Sequence, residues 1–354
     1  MTRVALGLQG GGSHGAFTWG VLDRLLEEVE AGRLKIAAIS GASAGALNAA
    51  VLASGLAEGG PGLARTRLAE LWRAISDAGA RGGNALFYGE PGPLGLGLAG
   101  LNIDWNPGAI ALQALGLVVS PYTNPFYRDV LGPIVEQVLP AARLGRLNGA
   151  GAPRVFITAT DIATNNRANF TQPGVTVDTI RASACLPSEF RAVQIGGVDY
   201  WDGGYLGNPA LDPLLDHADD LFVILANPLD RAAGVPPTGA RDILDRLNEI
   251  TFNASVVLEM NGIAAINALL RDLQAQGIAY RGKYRPKHLH LIRSDAFLAS
   301  LGTVSKSSTS WLLLSRLHEA GYAAAADFFA NKAETIGRGG TEEVERELVG
   351  PFKG

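Results

Sequence analysis

The chain has 354 residues, of which 47% are hydrophobic and 18% are charged. This composition predicts a large buried core and excludes a disordered chain. The net charge is −4 and no block of basic residues occurs, so we expect no nucleic-acid partner. A single cysteine, Cys185, excludes an internal disulfide, and a reducing cytoplasm is the simplest interpretation of the cellular location.

The chain begins with alternating strand and helix patterns. Residues 3–8 predict a buried strand, and a helical pattern runs from Gly15 to about Glu30. A second short strand is predicted at residues 36–39, followed by an alanine-rich helix from Ala44 to about Leu56. Strand, helix, strand and helix within sixty residues are typical of a parallel α/β sheet.

Later strands and helices extend this pattern. Short apolar runs predict strands at residues 154–160, 191–195, 221–226 and near 288–292. Apolar residues recur at spacings of three and four in residues 241–276 and 310–329, which predicts amphipathic helices. The short apolar run at the N-terminus does not suit a signal peptide, and no uninterrupted run of 18 apolar residues predicts a bilayer span.

Residues 82–127 differ in composition from the rest of the chain. They contain only two charged residues, Glu90 and Asp104, and are dense in Gly, Pro and Leu. One interpretation is a buried irregular insertion. The other is a mobile apolar lid or a surface that contacts a membrane or micelle.

A glycine-rich turn follows the first predicted strand. In LGLQGGGSHGAF, Gly10, Gly12 and Gly15 match the G-x-G-x-x-G pattern of dinucleotide-binding proteins. That function needs an acidic residue at the end of the second strand, which instead ends at Ser40. The alternative is that backbone N–H groups of this turn, at the start of a helix, stabilise a developing oxyanion.

A second turn carries a candidate nucleophile. Gly41, Ser43 and Gly45 fit G-x-S-x-G between the second strand and the second helix, where a sharp turn exposes the serine hydroxyl. The amide of Ala44 can join an oxyanion hole, which is the group of N–H donors that binds the oxyanion. Because the carboxyl ends of neighbouring parallel strands share one edge, both turns can face one site.

A serine nucleophile also needs a base, and the histidines do not offer an obvious one. None of the five histidines lies in a stretch that otherwise resembles a site. In GGVDYWDGGYLGNPA, Asp202 precedes the double glycine Gly203–Gly204 on a turn after a short strand. A carboxylate on a tight glycine turn can be held beside a serine, and burial would raise its pKa toward that of a useful base.

The motifs GGGSHG, GASAG and DGG occur in that order and resemble the patatin-like phospholipase family. RASACLPSEF, before the aspartate, also resembles a family block, and the likeness covers roughly residues 4–211. It implies a three-layer α/β/α sandwich on a mostly parallel sheet, with a catalytic domain over 4–211 and a helix-rich C-terminal portion, 212–354, packed on the same domain. The family members are serine lipid acyl hydrolases with a Ser-Asp dyad.

By this resemblance Ser43 is the nucleophile, Asp202 is the base, and the substrate is a lipid or other acyl ester. Amides of the first glycine turn and of Ala44 would form the oxyanion hole. The family usually has Arg or Lys where this chain has His14, so we expect a titrating charge near the hole. The residues assigned to the oxyanion hole are Gly10, Gly11, Gly12, Ser13 and Ala44, and the remaining motif glycines are Gly15, Gly41, Gly45, Gly203 and Gly204.

Several alternatives stay open at this point. Asp161 and Asp199 are rival carboxylates, although neither is followed by a double glycine. An α/β-hydrolase with a Ser-His-Asp triad could use His288 or His290. A lipid- or acyl-binding module without turnover is a further possibility. The sequence contains no metal-ligand cluster and no calcium loop, so we expect no cofactor or metal.

Overall fold

A mostly parallel sheet forms the centre of the molecule. The structure is a computed structural model that describes residues 1–81, 103–104, 119–230 and 236–341. The sheet has the order β5-β6-β3-β2-β1-β7-β8, with β4 paired to β3 as well. β1, β2, β3, β7 and β8 pair in parallel, whereas β4, β5 and β6 join antiparallel. The strands are β1 Thr2–Leu8, β2 Leu34–Ala42, β3 Arg154–Asp161, β4 Arg167–Thr171, β5 Val193–Ile195, β6 Val198–Asp202, β7 Asp220–Ile224 and β8 His288–Ile292.

Helices cover both faces of this sheet. α2 bends at Gly59 and Gly60, whose backbone is not helical. Short 3₁₀ turns follow β1 and β6, at Gly12–His14 and Gly203–Tyr205. The helices of the described residues are α1 Gly15–Glu30, α2 Ala44–Arg81, α3 Leu131–Val138, α4 Ala141–Leu147, α5 Val177–Ser183, α6 Ala240–Ala275, α7 Asp295–Leu301 and α8 Trp311–Asn331.

The two sides of the sheet belong to two separate apolar clusters. Successive strand residues point to opposite faces, so Leu6 packs in the cluster of α1, α2 and α8, whereas Ala5 packs on the other side. On that other side, Leu221 packs in the same cluster as Met260 of α6. The arrangement confirms the predicted three-layer fold with a mostly parallel sheet and a helix-rich C-terminal part.

Strand register brings the two motif turns to the same edge. Leu8 at the end of β1 is the partner of Gly41 in β2 and of Ile224 in β7. The chain therefore leaves β1, β2 and β7 at one level of the sheet. β7 and β8 lie C-terminal to residue 211 and extend the same sheet, while the domain boundary at that residue stays a prediction.

Several elements differ from those expected from sequence. The second helix continues past Leu56 to Arg81 because its chain resumes helical geometry after the bend at two glycines. β4 and the short helices α3, α4 and α5 were not predicted, since runs of five to eight residues carry little periodic signal. The proposed apolar lid at 82–127 lies mostly outside the described residues.

One helix complicates the expectation that no segment could span a bilayer. Within the described residues, the helix at Asp242–Ala275 is long and apolar enough to cross a membrane, by length and composition only. Single polar residues interrupt its apolar sequence, so it contains no uninterrupted run of 18 apolar residues. Core helices of soluble proteins meet the same criterion.

The contact between α1 and α8 depends on glycine. A Cβ added to Gly321 would overlap the Phe17 carbonyl oxygen, whereas a Cβ added to Gly262 of α6 meets nothing within 4 Å. We expect Gly321→Ala to lower the free energy of unfolding by about 1–3 kcal/mol through overpacking. Gly262→Ala is the matched control and should leave stability unchanged or raise it by up to about 1 kcal/mol. Urea denaturation measures both, and equal effects would contradict the close packing of these helices.

Candidate active site

Ser43 occupies a strained turn between β2 and α2. Its φ is 55°, in the left-handed region that non-glycine residues rarely adopt, and its side chain is buried. The two flanking positions need glycine for steric reasons. A Cβ on Gly41 would overlap the Gly45 carbonyl oxygen, and one on Gly45 would overlap that of Leu8. The G-x-S-x-G pattern thus coincides with a tight strand-to-helix turn of the kind that presents a nucleophile.

The backbone of Ser43 is held by the block that precedes the aspartate. Its N–H lies 3.0 Å from the Ser183 carbonyl oxygen and 3.1 Å from Ser183 Oγ, and it donates to both. Ser183 is the last residue of α5, within RASACLPSEF. Farther along that block, the Cys185 carbonyl accepts a 2.9 Å hydrogen bond from the Asp202 N–H. This segment therefore connects the serine turn to the aspartate strand.

The glycine turn after β1 lies against the serine turn, as the sequence predicts. A Cβ added to Gly10 would lie 2.6 Å from Ser43 Cβ and 2.7 Å from the Ala42 carbonyl oxygen. Farther along, a Cβ on Gly15 would lie 2.7 Å from Ala44 Cβ. Only glycine allows the two backbones to approach this closely.

The N–H groups of these turns divide into engaged and unengaged donors. The Gly10 N–H, predicted from sequence to join the oxyanion hole, donates to Asn208 Oδ1 at 2.7 Å and is engaged within the fold. Gly12 adopts the left-handed conformation with φ of 57°. Within the described part of the chain, no hydrogen bond engages the N–H groups of Gly11, Gly12, Ser13 and Ala44.

Buried amide side chains, not identified from sequence, hold the glycine turn in place. Asn208 accepts the Gly10 N–H and donates to the Phe252 carbonyl oxygen at 3.0 Å. Asn227 Nδ2 donates to the Gly10 carbonyl oxygen at 2.8 Å. Gln9 Oε1 accepts the N–H groups of Ala226 and Asn227, each at 2.9 Å. The Asn-Pro pair after the DGG motif was the only available sequence signal, and it did not indicate this role.

Asp202 ends β6 and is fully buried. Its Oδ1 accepts the Gly204 N–H at 2.7 Å, while Oδ2 is buried with no hydrogen-bond partner among the described residues. Burial raises the pKa of Asp202 from 3.8 to about 7, although the Gly204 amide and the Ser43 hydroxyl act to lower it. The Ser43 hydroxyl is thus one of the groups that favour the charged form of this carboxyl, and burial outweighs it.

The rival carboxylates do not meet Ser43. Asp161 accepts hydrogen bonds from its own turn, at Ala163 N–H and Thr164, and Asp199 is exposed on β6. Cys185 is buried, its thiol donates to the Arg191 carbonyl oxygen at 3.0 Å, and burial raises its pKa to about 12. Such a thiol is a poor nucleophile.

His14 does not supply the titrating charge expected from sequence. Its side chain is buried, with Nδ1 3.3 Å from the Ala226 carbonyl oxygen and Nε2 2.6 Å from Ser305 Oγ. Burial, and to a smaller extent the nearby Lys306 ammonium, lower the pKa of His14 to about 3. The imidazole is therefore neutral at physiological pH, and the prediction of a titrating charge is wrong because sequence did not reveal this degree of burial.

Comparison with known proteins identifies the family. The model of the patatin-like phospholipase family matches residues 6–215, more than half of the chain. The chain belongs to the patatin-like phospholipase family. This membership confirms the resemblance and supports a lipid acyl hydrolase that acts on ester bonds. No curated protein sequence matched the chain significantly.

Among solved structures, two bacterial proteins align at 15% identity. VipD from Legionella pneumophila aligns over 89% of this chain and 67% of its own, with a TM-score of 0.37. ExoU from the type III secretion system of Pseudomonas aeruginosa, solved in complex with SpcU, aligns over 92% and 52%, with a TM-score of 0.29. The chain thus spans about two thirds of the length of one and half of the other.

In this patatin-like chain, the two histidines that the sequence offers for a triad, His288 and His290, lie on β8, away from the serine turn. His290 Nε2 lies 2.8 Å from Asp220 Oδ1, and His288 is paired with Asp220 in the sheet. His288 is the first residue and His290 the middle residue of β8, whereas Ser43 follows the carboxyl end of β2. His318 bonds to Asp23 on α1 at 2.8 Å. This placement argues against the Ser-His-Asp triad that the sequence left open.

The raised pKa of Asp202 has a consequence for stability. Its folded pKa of about 7 lies above the reference value of 3.8, so the native state keeps a proton that the unfolded state releases between these pH values. The contribution of Asp202 to the free energy of unfolding therefore falls as pH rises through this window. Between these two pH values, we expect the free energy of unfolding of Asp202→Asn, relative to that of the wild type, to rise by about 1.4 kcal/mol for each pH unit.

Denaturation with urea at several pH values between 4 and 8 measures this difference. Asp199→Asn, which removes an exposed carboxylate from the same strand, is the matched control. A stability difference between Asp202→Asn and wild type that stays constant with pH would contradict a buried carboxyl with a raised pKa.

Proposed function

We propose that this chain hydrolyses carboxylic esters of lipids through an acyl-enzyme on Ser43, with Asp202 as the general base. The observation that carries the proposal is the buried Oδ2 of Asp202, which has no hydrogen-bond partner among the described residues, together with the strained nucleophile turn of Ser43. Family membership supports lipid ester hydrolysis as the activity class. The assignment of a serine esterase with a two-residue catalytic dyad is ours.

In the acylation step, Ser43 Oγ attacks the ester carbonyl carbon while Asp202 accepts its proton. A new C–O bond forms, and the carbonyl π electrons move to oxygen to give a tetrahedral oxyanion. This intermediate collapses, the bond to the leaving alcohol breaks, and Asp202 returns the proton to the alcohol oxygen. The acyl group then remains as an ester of Ser43.

A carboxylate with an ordinary pKa is too weak a base to remove the serine proton efficiently, and burial makes the carboxylate of Asp202 more basic. Because the pKa of Asp202 is raised to about 7, its carboxylate gains driving force to accept a proton while remaining substantially ionised at neutral pH. The single Gly204 hydrogen bond to Oδ1 orients the group and leaves Oδ2 free for the serine proton.

Backbone N–H groups stabilise the oxyanion in this proposal. Gly11, Gly12 and Ala44 present unengaged donors from two turns that meet at one edge, near the N-termini of α1 and α2. One such donor typically contributes about 3–4 kcal/mol to transition-state stabilisation. Gly10 acts indirectly, since its bonds to Asn208 and Asn227 fix the turn.

Deacylation repeats the chemistry with water. Asp202 removes a proton from a water molecule, whose oxygen attacks the acyl carbon and again forms an oxyanion. Collapse breaks the bond to Ser43 Oγ, which takes the proton back from Asp202, and a carboxylic acid is released. The cycle needs no histidine, in agreement with the pairing of His290 with Asp220 and of His318 with Asp23.

Substitution tests these roles directly. We expect Ser43→Ala and Asp202→Asn each to lower kcat/KM for a p-nitrophenyl ester by about 10³-fold or more, since each removes a group that acts in the reaction. Asp199→Asn, on the same strand but exposed, is the matched control and should retain wild-type activity. Full activity in Ser43→Ala would contradict the proposal, as would loss of activity in His288→Ala with a preserved fold.

A further inference from the structure

The outer face of α6, defined as its exposed residues from Leu247 to Leu269, is apolar where a surface helix is normally polar. Its large side chains Leu247, Ile250, Leu258 and Leu269 are 53%, 50%, 70% and 57% exposed. None of the exposed residues between Leu247 and Leu269 is charged. Successive members of this set are three, eight and eleven residues apart, and these spacings align the side chains along one stripe of the helix. Smaller residues complete the outer face: Thr251, Ala254, Gly262 and Ala265.

The opposite face of α6 fixes the helix to the domain. Val256 and Met260 are fully buried against the sheet. The Glu259 carboxylate pairs with Arg167 at 2.5 Å and accepts the N–H groups of Leu211 and Asp212. These anchors hold α6 along the surface of the domain, so its apolar stripe can lie on a lipid layer without the helix crossing it.

A basic segment continues from the end of α6. Residues 276–287 contain the exposed cations Arg281, Lys283 and Arg285, and no acidic residue occurs between Asp272 and Asp295. These three cations form no ion pair within the described part of the chain. Tyr280 and Tyr284 are 40% and 46% exposed in the same segment. Exposed tyrosines and cations beside an apolar stripe are suited to the headgroup layer of an anionic membrane.

The same helix also borders the candidate active site. The Phe252 ring centroid lies 5.6 Å from that of Tyr205, in the 3₁₀ turn that directly follows Asp202. The Phe252 carbonyl oxygen accepts a hydrogen bond from the side chain of Asn208, the residue that holds the glycine turn. The helix that would contact lipid with its outer face therefore contacts the candidate active site with its inner face.

We propose that the outer face of α6 and the basic segment at 276–287 together form a docking surface for anionic lipid bilayers. The apolar stripe enters the acyl boundary, and Arg281, Lys283 and Arg285 bind anionic headgroups. This inference rests on the proposed function, because it names the surface from which the ester substrate would be drawn. The absence of acidic residues in the segment favours an anionic lipid layer over a neutral one.

Vesicle flotation tests the docking surface, with Ser43→Ala as the background so that lipid is not consumed. The probes are phosphatidylcholine vesicles with and without phosphatidylglycerol. We expect binding to the anionic vesicles, reduced at least about ten-fold by Leu247→Glu with Leu258→Glu. Replacing Arg281, Lys283 and Arg285 by Ser should reduce it by about 10²-fold and remove its salt dependence. Leu312→Glu, at a leucine 43% exposed on α8, is the matched control and should bind normally.

A fluorescent label checks the contact without a charged substitution. Cys185 is buried, so Leu258→Cys provides the reactive thiol for an environment-sensitive dye. A blue shift on anionic vesicles is expected at this position and not at Leu312→Cys. No shift at Leu258→Cys would overturn the proposal even if the glutamate variants fail to fold.

The remaining outcomes separate this proposal from the catalytic one. With Ser43 intact, the glutamate variants should hydrolyse a soluble short-chain ester normally and lose activity on anionic vesicles. If the wild type fails on the soluble ester yet floats with vesicles, the catalytic proposal fails and docking stands. Unchanged flotation of the glutamate variants overturns docking alone. A change from dimer to monomer in those variants, with unchanged flotation, would instead make the outer face an interface between two copies.

Discussion

The close approach of two backbone turns at one edge of the sheet is the constraint on which the site depends. Parallel pairing places Leu8 beside Gly41, so the chain leaves β1 and β2 at the same level. The turn at Gly10 then comes so close to Ser43 that a single added carbon would clash. This contact leaves unengaged N–H groups on both sides of the serine. The glycine motifs are thus a packing requirement first, and their proposed role in oxyanion binding follows from it.

The buried carboxylate of Asp202 links stability to the proposed chemistry. Burial without a partner for Oδ2 disfavours the charged form, and for that reason raises the pKa to about 7. A hydrogen bond from another side chain would relieve this cost and would also weaken the base. The Gly204 N–H satisfies one oxygen of this carboxylate and offsets part of the cost, while Asn208 and Gln9 hold neighbouring backbone segments in place.

Periodicity was sufficient to predict a parallel sheet and motifs the two turns, whereas the three-layer arrangement came from the family resemblance. Short motifs encode local backbone shape, which is why G-x-S-x-G indicated the strained Ser43 conformation. Features that depend on distant segments were missed. Asn208 and Asn227 meet Gly10 only after folding, and His14 is neutral because of burial that sequence does not reveal. Likewise, periodicity predicted an amphipathic α6 without showing that an apolar stripe would face solvent.

The most direct test of the Ser43–Asp202 pair is its reaction with a fluorophosphonate, in which serine displaces fluoride to form a stable phosphonate ester. Peptide mass spectrometry locates the adduct, and the inactivation rate is followed against pH. We expect a single adduct on Ser43 and a rate that rises through about pH 7 in the wild type, as Asp202 loses its proton. In Asp202→Asn the rate should be much lower and lack this rise. An adduct at another residue, or an unchanged rate and pH profile in Asp202→Asn, would contradict it.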